Sequence, residues 1–197
     1  MSTREKKRWI GISLGSLLVI SLCFAQEVNF LKNPGFEDLN STGHPLYYTI
    51  NSTYRGRLTV VEEKENVHSG KRAIKMETTE ESVADSFQLI GWYPAEFCYQ
   101  VFPDTTYELS AWAKGEGKFY VTCYIYNKEH KMIKPAYYKP DKPDLTSQWK
   151  KYKTIFTPPE GTAGIAFVIR LDGKGAWAYV DDVCLKEVEE EVRYDVK

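Results

Sequence analysis

Apolar and polar positions alternate in short runs along most of the chain. The clearest run is FYVTCYIYN at 119–127, where Phe119, Val121, Cys123 and Ile125 interleave with Tyr120, Thr122, Tyr124 and Tyr126. A period of two sends successive side chains to opposite faces of a strand. This stretch therefore has a compact apolar face and a second face bearing three tyrosines. Comparable runs occur at DSFQLIGWY, TYELSAWAK, WKKYKTIFT, GIAFVIRLD and WAYVDDVCL. Turn-forming residues separate them at Pro103-Asp104, Lys114-Gly115-Glu116-Gly117, Thr157 to Gly161 and Asp172-Gly173-Lys174-Gly175. No segment carries a convincing amphipathic helix. The pattern predicts an all-β fold, a two-sheet antiparallel β-sandwich or jelly roll.

In such a sandwich one parity of each strand faces the core. GIAFVIRLD offers Ile165, Phe167, Ile169 and Leu171 to it and leaves Ala166, Val168, Arg170 and Asp172 opposite. TYELSAWAK offers Tyr107, Leu109, Ala111 and Ala113 and leaves Trp112 opposite, while in FYVTCYIYN the tyrosines face away. The expectation is an outward aromatic surface of Tyr120, Tyr124 and Tyr126, with Trp112 beside them on a neighbouring strand and Arg170, Gln88 and Trp92 nearby. Flat rings complement the C–H faces of sugars, and amide or guanidinium groups complement their hydroxyls. Outward tyrosines also stabilise sheets through cross-strand pairing without binding anything. Trp149 and Trp177 stand at strand starts beside core-parity residues and are expected to pack inside, as is Tyr152.

The ends of the chain set the compartment. Arg4, Lys6, Lys7 and Arg8 precede the apolar run WIGISLGSLLVISLCFA, which ends on Ala25. This is the form of a secretory signal at residues 1–25, cut before Gln26. The alternatives are an uncleaved anchor, for which Trp9 to Ala25 is barely long enough, and lipid attachment at Cys23, against which bulky Leu22 argues. Cleavage removes four basic residues and one acidic residue, leaving 172 residues with 22 basic, 26 acidic and a formal charge of −4. That length suits one domain, placed at 26–187, followed by a charged tail at 188–197. No basic face is present to displace counterions from nucleic acid. Once the leader is gone, no membrane partner is expected. Cys98, Cys123 and Cys184 remain, an odd number for an oxidising compartment. They allow at most one disulfide, and Cys123 and Cys184 are equally readable as small buried hydrophobes.

Four ordered fragments go beyond a generic sandwich: NPGFED at 33–38, VHSGKRAIKME at 67–77, TYELSAWAKG at 106–115, and WKKYKTIFTPPEGT followed by AYVDDVCL. Together they resemble the carbohydrate-binding modules of the family 4, 9 and 22 group, whose jelly rolls are galactose-binding-domain-like, over about residues 28–187. Tyr47 and Tyr48 stand where that group commonly has a tryptophan. The resemblance implies a secreted or periplasmic, non-catalytic module that binds a polysaccharide or oligosaccharide of β-glucan or xylan type, beside a separate glycoside hydrolase chain. It also implies a structural calcium held by Glu37 and Asp181, with backbone carbonyls near Ser69 and Lys71. Hard carboxylate and carbonyl oxygens suit that ion. No catalytic motif appears, and His44, His68 and His130 are scattered in turn-like contexts. The alternative is a surface or matrix protein that uses the same rings for protein contact.

Overall fold

Each alternating run forms a strand because one of its faces finds a core. The computed structural model describes residues 28–92, 98–137 and 141–188. The leader at 1–25 and all but the first residue of the tail lie outside the described residues. Among the described residues nine strands follow in order: β1 Tyr48–Ile50, β2 Arg57–Val61, β3 Ala73–Glu77, β4 Ser86–Gly91, β5 Tyr99–Gln100, β6 Tyr107–Tyr126, β7 Met132–Tyr137, β8 Lys150–Phe156 and β9 Gly164–Glu187. Every pairing is antiparallel.

The framework is the pair β6 and β9, 20 and 24 residues long, which lie side by side from end to end. In one layer, residues 164–172 of β9 lie between β4 and residues 118–126 of β6, with β1 beyond β4 and β7 beyond β6. In the other layer, residues 177–180 of β9 lie between β3 and the first half of β6, with β2 and β8 outside them. The ladder thus curls into two sheets that share both long strands. The predicted turns at 114–117 and 172–175 are instead bends inside continuous strands. At both places glycines take positive φ, Gly115 at 153°, Gly117 at 119° and Gly173 at 134°, and the register slips between Glu116 and Lys118. A Cβ at Gly115 would collide with the Trp177 carbonyl oxygen. Glycine clusters mark corners, where a strand changes sheet, as readily as they mark turns.

The core between the sheets is the one that parity predicts. Phe119, Val121, Cys123 and Ile125 are buried there with Ile165, Phe167, Ile169 and Leu171 of β9 and with Leu109, Ala111, Tyr107, Tyr152 and Phe156 from the opposing layer. Phe119 meets Tyr152 across the sandwich, ring to ring at 5.2 Å. Each fully buried side chain of this size contributes about 1.5–3 kcal/mol. No disulfide links the three described cysteines. Cys123 lies in the core, where burial pushes its thiol far up, and Cys184 is only partly buried on the outer side of β9.

Candidate functional site

Three rows of side chains cross the outer face of the first sheet. In register they are Gln88, Arg170 and Tyr120; Ile90, Val168 and Thr122; and Ala166 with Tyr124. The central strand β9 contributes Ala166 and Val168, both 0% exposed, so small residues form a floor. Trp92, Tyr124 and Tyr126 pack on that floor and remain partly open to solvent. The sheet is thus lowest along its middle strand and carries rings on both flanks, the outline of a trough. Over it the Gln88 amide brackets the Tyr124 hydroxyl, with Nε2 donating at 2.9 Å and Oε1 accepting at 3.1 Å. This fixes the tyrosine ring, and Gln88 itself is buried.

The other end of the face is polar and centres on Asp172. Its Oδ1 accepts from Ser86 Oγ at 2.5 Å and from Arg170 Nε at 3.0 Å, and its Oδ2 accepts from Lys142 Nζ at 3.0 Å and Tyr120 Oη at 3.4 Å. Burial alone would raise this carboxyl, but the bonds from Ser86, Lys142 and Arg170 and the arginine's charge outweigh it and hold it below the usual carboxylate range. The Arg170 guanidinium stands 4.4 Å from the Tyr54 ring and 6.0 Å from Tyr120, and Lys142 lies 5.0 Å from the Tyr120 ring. Tyr120 is consequently covered, at 6% exposure, and burial and the charge of Asp172 raise its hydroxyl pKa. It braces Arg170 where the sequence suggested an open ring. Asp172 shares the outward parity of Arg170 and was legible from it. Tyr54 and Lys142 sit outside regular strands, where no periodicity points to them.

Trp112 does not join this face. It has the outward parity of the tyrosines, but it precedes the corner at Gly115–Gly117, so outward there means the far side of the second sheet. Its ring stacks on His68 at 4.1 Å, and His68 also meets Trp149 edge-on at 5.4 Å. Trp149 and Trp177 are likewise half-buried on or beside that outer face rather than in the core. A strand start is also a strand edge, where a large ring finds more room outside than in.

The carboxylates expected to hold calcium converge on one loop. Asp181 Oδ2 accepts from the backbone N–H of His68 at 2.9 Å and of Ser69 at 3.0 Å, and Glu37 Oε1 accepts from those of Lys71 at 2.7 Å and Arg72 at 3.2 Å. Ser69 and Lys71 therefore face the carboxylates through N–H groups, not through the expected carbonyls. Glycines leave the space open: a Cβ at Gly70 would collide with Glu37 Oε1, and one at Gly35 would lie 3.8 Å from Oδ1 of both Asp181 and Asp182. Asp181 is fully buried, which pushes its carboxyl up to about 6, with Asp182 adding to the rise and the surrounding N–H groups opposing it. No group of three acidic, histidine or cysteine side chains poised for a metal occurs among the described residues, so carbonyl oxygens would have to complete any shell. Two hard carboxylates gathered on one glycine-bearing loop match calcium in the kind of donor they offer. His68 Nδ1 lies 2.6 Å from Asp182 Oδ2, and Ser69 Oγ donates to Asp182 Oδ1 at 2.7 Å. The serine bonds the carboxylate and not the histidine, which is not the order of a nucleophilic relay.

The family model described as a carbohydrate binding domain matches residues 28–175. The chain belongs to that family. No curated protein matches the sequence. Among solved structures, the CBM22-1 xylan-binding domain of Xyn10C from Paenibacillus barcinonensis is 13% identical at a TM-score of 0.57, covering 83% of this chain and 97% of that one. TmCBM61, solved in complex with β-1,4-galactotriose, is 21% identical at a TM-score of 0.52, covering 82% of this chain and 99% of that one. The enzymatically active domain of bacteriophage CBA120 tailspike protein 4 is 11% identical at a TM-score of 0.59; the match covers 81% of this chain but only 21% of the phage protein. At these identities the likeness is one of fold: this member of the carbohydrate binding domain family is a jelly-roll sandwich.

Proposed function

We propose that this carbohydrate binding domain is a secreted, non-catalytic module that holds a single β-glucan- or xylan-like chain along the outer face of the first sheet. The observation that carries the reading is the trough itself. Trp92, Tyr124 and Tyr126 flank a floor of Ile90, Ala166 and Val168, the buried Gln88 amide fixes the Tyr124 ring, and Arg170 stands where sugar hydroxyls need a partner. Sugar C–H faces would lie on the rings, and the arginine, set by Ser86 and Asp172, would direct its remaining N–H groups to the hydroxyl rim.

The non-catalytic reading has its own support. Glycoside hydrolysis takes two carboxyl groups roughly 5–9.5 Å apart, whereas β1, β4, β7 and the adjoining parts of β6 and β9, 118–126 and 164–172, carry one acid between them, Asp172. That acid is already tied to Arg170 and Lys142. Chemistry would come from a separate glycoside hydrolase chain acting on the same polymer. Export rests on the basic-then-apolar leader. Glu37 and Asp181 would hold a calcium that joins the segment before β1 to β9, neutralising a buried carboxylate and serving stability rather than ligand contact.

Titration calorimetry of the exported chain with soluble xylan and β-glucan oligosaccharides tests the proposal. Wild type should bind at least one of them, and Tyr124→Ala, still folded, should bind it about tenfold or more weakly, as expected for a ring at the centre of a contact. Binding unchanged in Tyr124→Ala and Arg170→Ala would refute the trough. Silence of the wild type on every glycan, with capture of a cell-surface protein, would favour the matrix-protein alternative.

A further inference from the structure

The parity that turns Tyr124 outward on the first sheet turns another set of rings outward on the second. Trp177 and Tyr179 follow one another on the outer side of β9, edge to face with centroids 5.6 Å apart. Lys114 of β6 is in register with Tyr179, and its Nζ lies 5.3 Å from that ring and 5.3 Å from Trp149 on the far side. Lys75 of β3 is in register with Tyr179 from the other direction, its Nζ 5.9 Å from the ring. One row along, Glu77 and Glu116 flank Trp177. One row the other way stands Trp112 on His68. All four large rings are half-buried, and none belongs to a core cluster.

The relief is the inverse of the trough. Here the middle strand carries the largest side chains and its neighbours carry lysine and glutamate, so the rings form a ridge. The composition argues against a protein partner, because the cores of protein interfaces are depleted of Lys and Glu. Rings interleaved with charged donors and acceptors suit a surface of C–H faces and hydroxyls instead. Lys75 Nζ pairs with Glu77 at 2.9 Å and Lys114 Nζ donates to the Glu65 carbonyl, so both lysines beside the rings already have partners, which points to a neutral glycan rather than an acidic one. A ridge cannot enclose a lone chain, but it can lie along the face of many chains packed together.

We infer that the outer face of the second sheet is a second carbohydrate-contact surface, on which Trp177 and Tyr179 engage packed, insoluble neutral polysaccharide. The inference rests on the carbohydrate-binding reading of the chain but uses none of the trough residues.

The test compares wild type, Tyr124→Ala and the double variant Trp177→Ala/Tyr179→Ala in two assays. One is depletion from suspensions of insoluble cellulose, xylan and mannan, and the other is calorimetry with soluble xylan and β-glucan oligosaccharides. The ridge variant should lose about tenfold or more in retention on whichever solid the wild type binds, a loss typical of central aromatic contacts, and should match wild type on soluble chains. Tyr124→Ala should lose soluble binding and keep measurable retention on the solid. If the alanine pair fails to fold, Trp177→Thr/Tyr179→Thr, which keeps strand propensity, decides. Undiminished retention of a folded ridge variant overturns the inference and leaves the trough standing, as does a wild type that binds soluble chains and no solid. A ridge variant whose only change is dissociation of a dimer makes the face a self-contact and also overturns it. A wild type that binds neither soluble chains nor solids removes both.

Discussion

The two outer faces of the sandwich are built on the same two strands and end in opposite shapes. On the first sheet the middle strand shows Ala166 and Val168 to solvent's side, and the rings stand on its neighbours. On the second sheet the middle strand shows Trp177 and Tyr179, and its neighbours show Lys75, Glu77, Lys114 and Glu116. Alternation alone makes both faces amphipathic. The size of the residue at the outward positions of β9 decides whether a face is sunken or raised. Aromatic content is therefore a poor guide to a site; where the small residues lie between the rings says more.

The largest expected effect separates face from core. Phe119→Ala removes a ring that is fully buried and packed on Tyr152, and should cost about 3–5 kcal/mol in denaturant unfolding through loss of burial and the cavity left behind. Tyr124→Ala, one parity away from the core, should cost clearly less, and equal losses would make both faces of the strand structural. Next is the metal. A cation that binds only the folded state stabilises it by about 2.7 kcal/mol at a hundredfold excess over its Kd. Adding a chelator to calcium-loaded protein should accordingly lower the melting temperature, and Asp181→Ala should abolish the response while neither change touches the trough. A melting curve indifferent to chelator would remove calcium from the account.

The smallest expected effect concerns the polar end of the trough. The folded pKa of Asp172 lies below its ordinary value, so its contribution is fully present above the unfolded value near 3.8 and is lost as pH falls through the folded one. Unfolding free energies of wild type and Asp172→Asn should differ at neutral pH and converge below about pH 4. A difference that persists at low pH would show that the asparagine disturbs packing rather than charge.

Much of the fold was legible in the sequence, because a two-residue period against a single core has one solution. The runs at DSFQLIGWY, FYVTCYIYN and GIAFVIRLD are strands with the expected faces inward, and WKKYKTIFT forms a strand with Tyr152 inward but Trp149 outside the core. The misplaced turns and the misplaced Trp112 share a cause. Lys114 to Gly117 and Asp172 to Gly175 carry the composition of a turn, and composition does not distinguish a chain that reverses from one that bends across to another sheet. Once the corner is missed, Trp112 and Tyr120 appear to share a face, although the strand has turned between them. Tyr54 and Lys142 reach Arg170 and Tyr120 from irregular segments, through tertiary contacts that no local pattern encodes.

Because β6 and β9 pass through both layers, neither sheet exists without the other. The pair joins residues about 107–126 to 164–187, so it forms only after a long stretch of chain has closed on itself, and such non-local pairing makes folding slow, in the millisecond-to-second range typical of sandwiches. The same sharing removes any route for one layer to peel away. Stripping β6 from the first sheet also pulls the strand that supports Trp112 and Lys114 from the second, so the two layers open together as one unit.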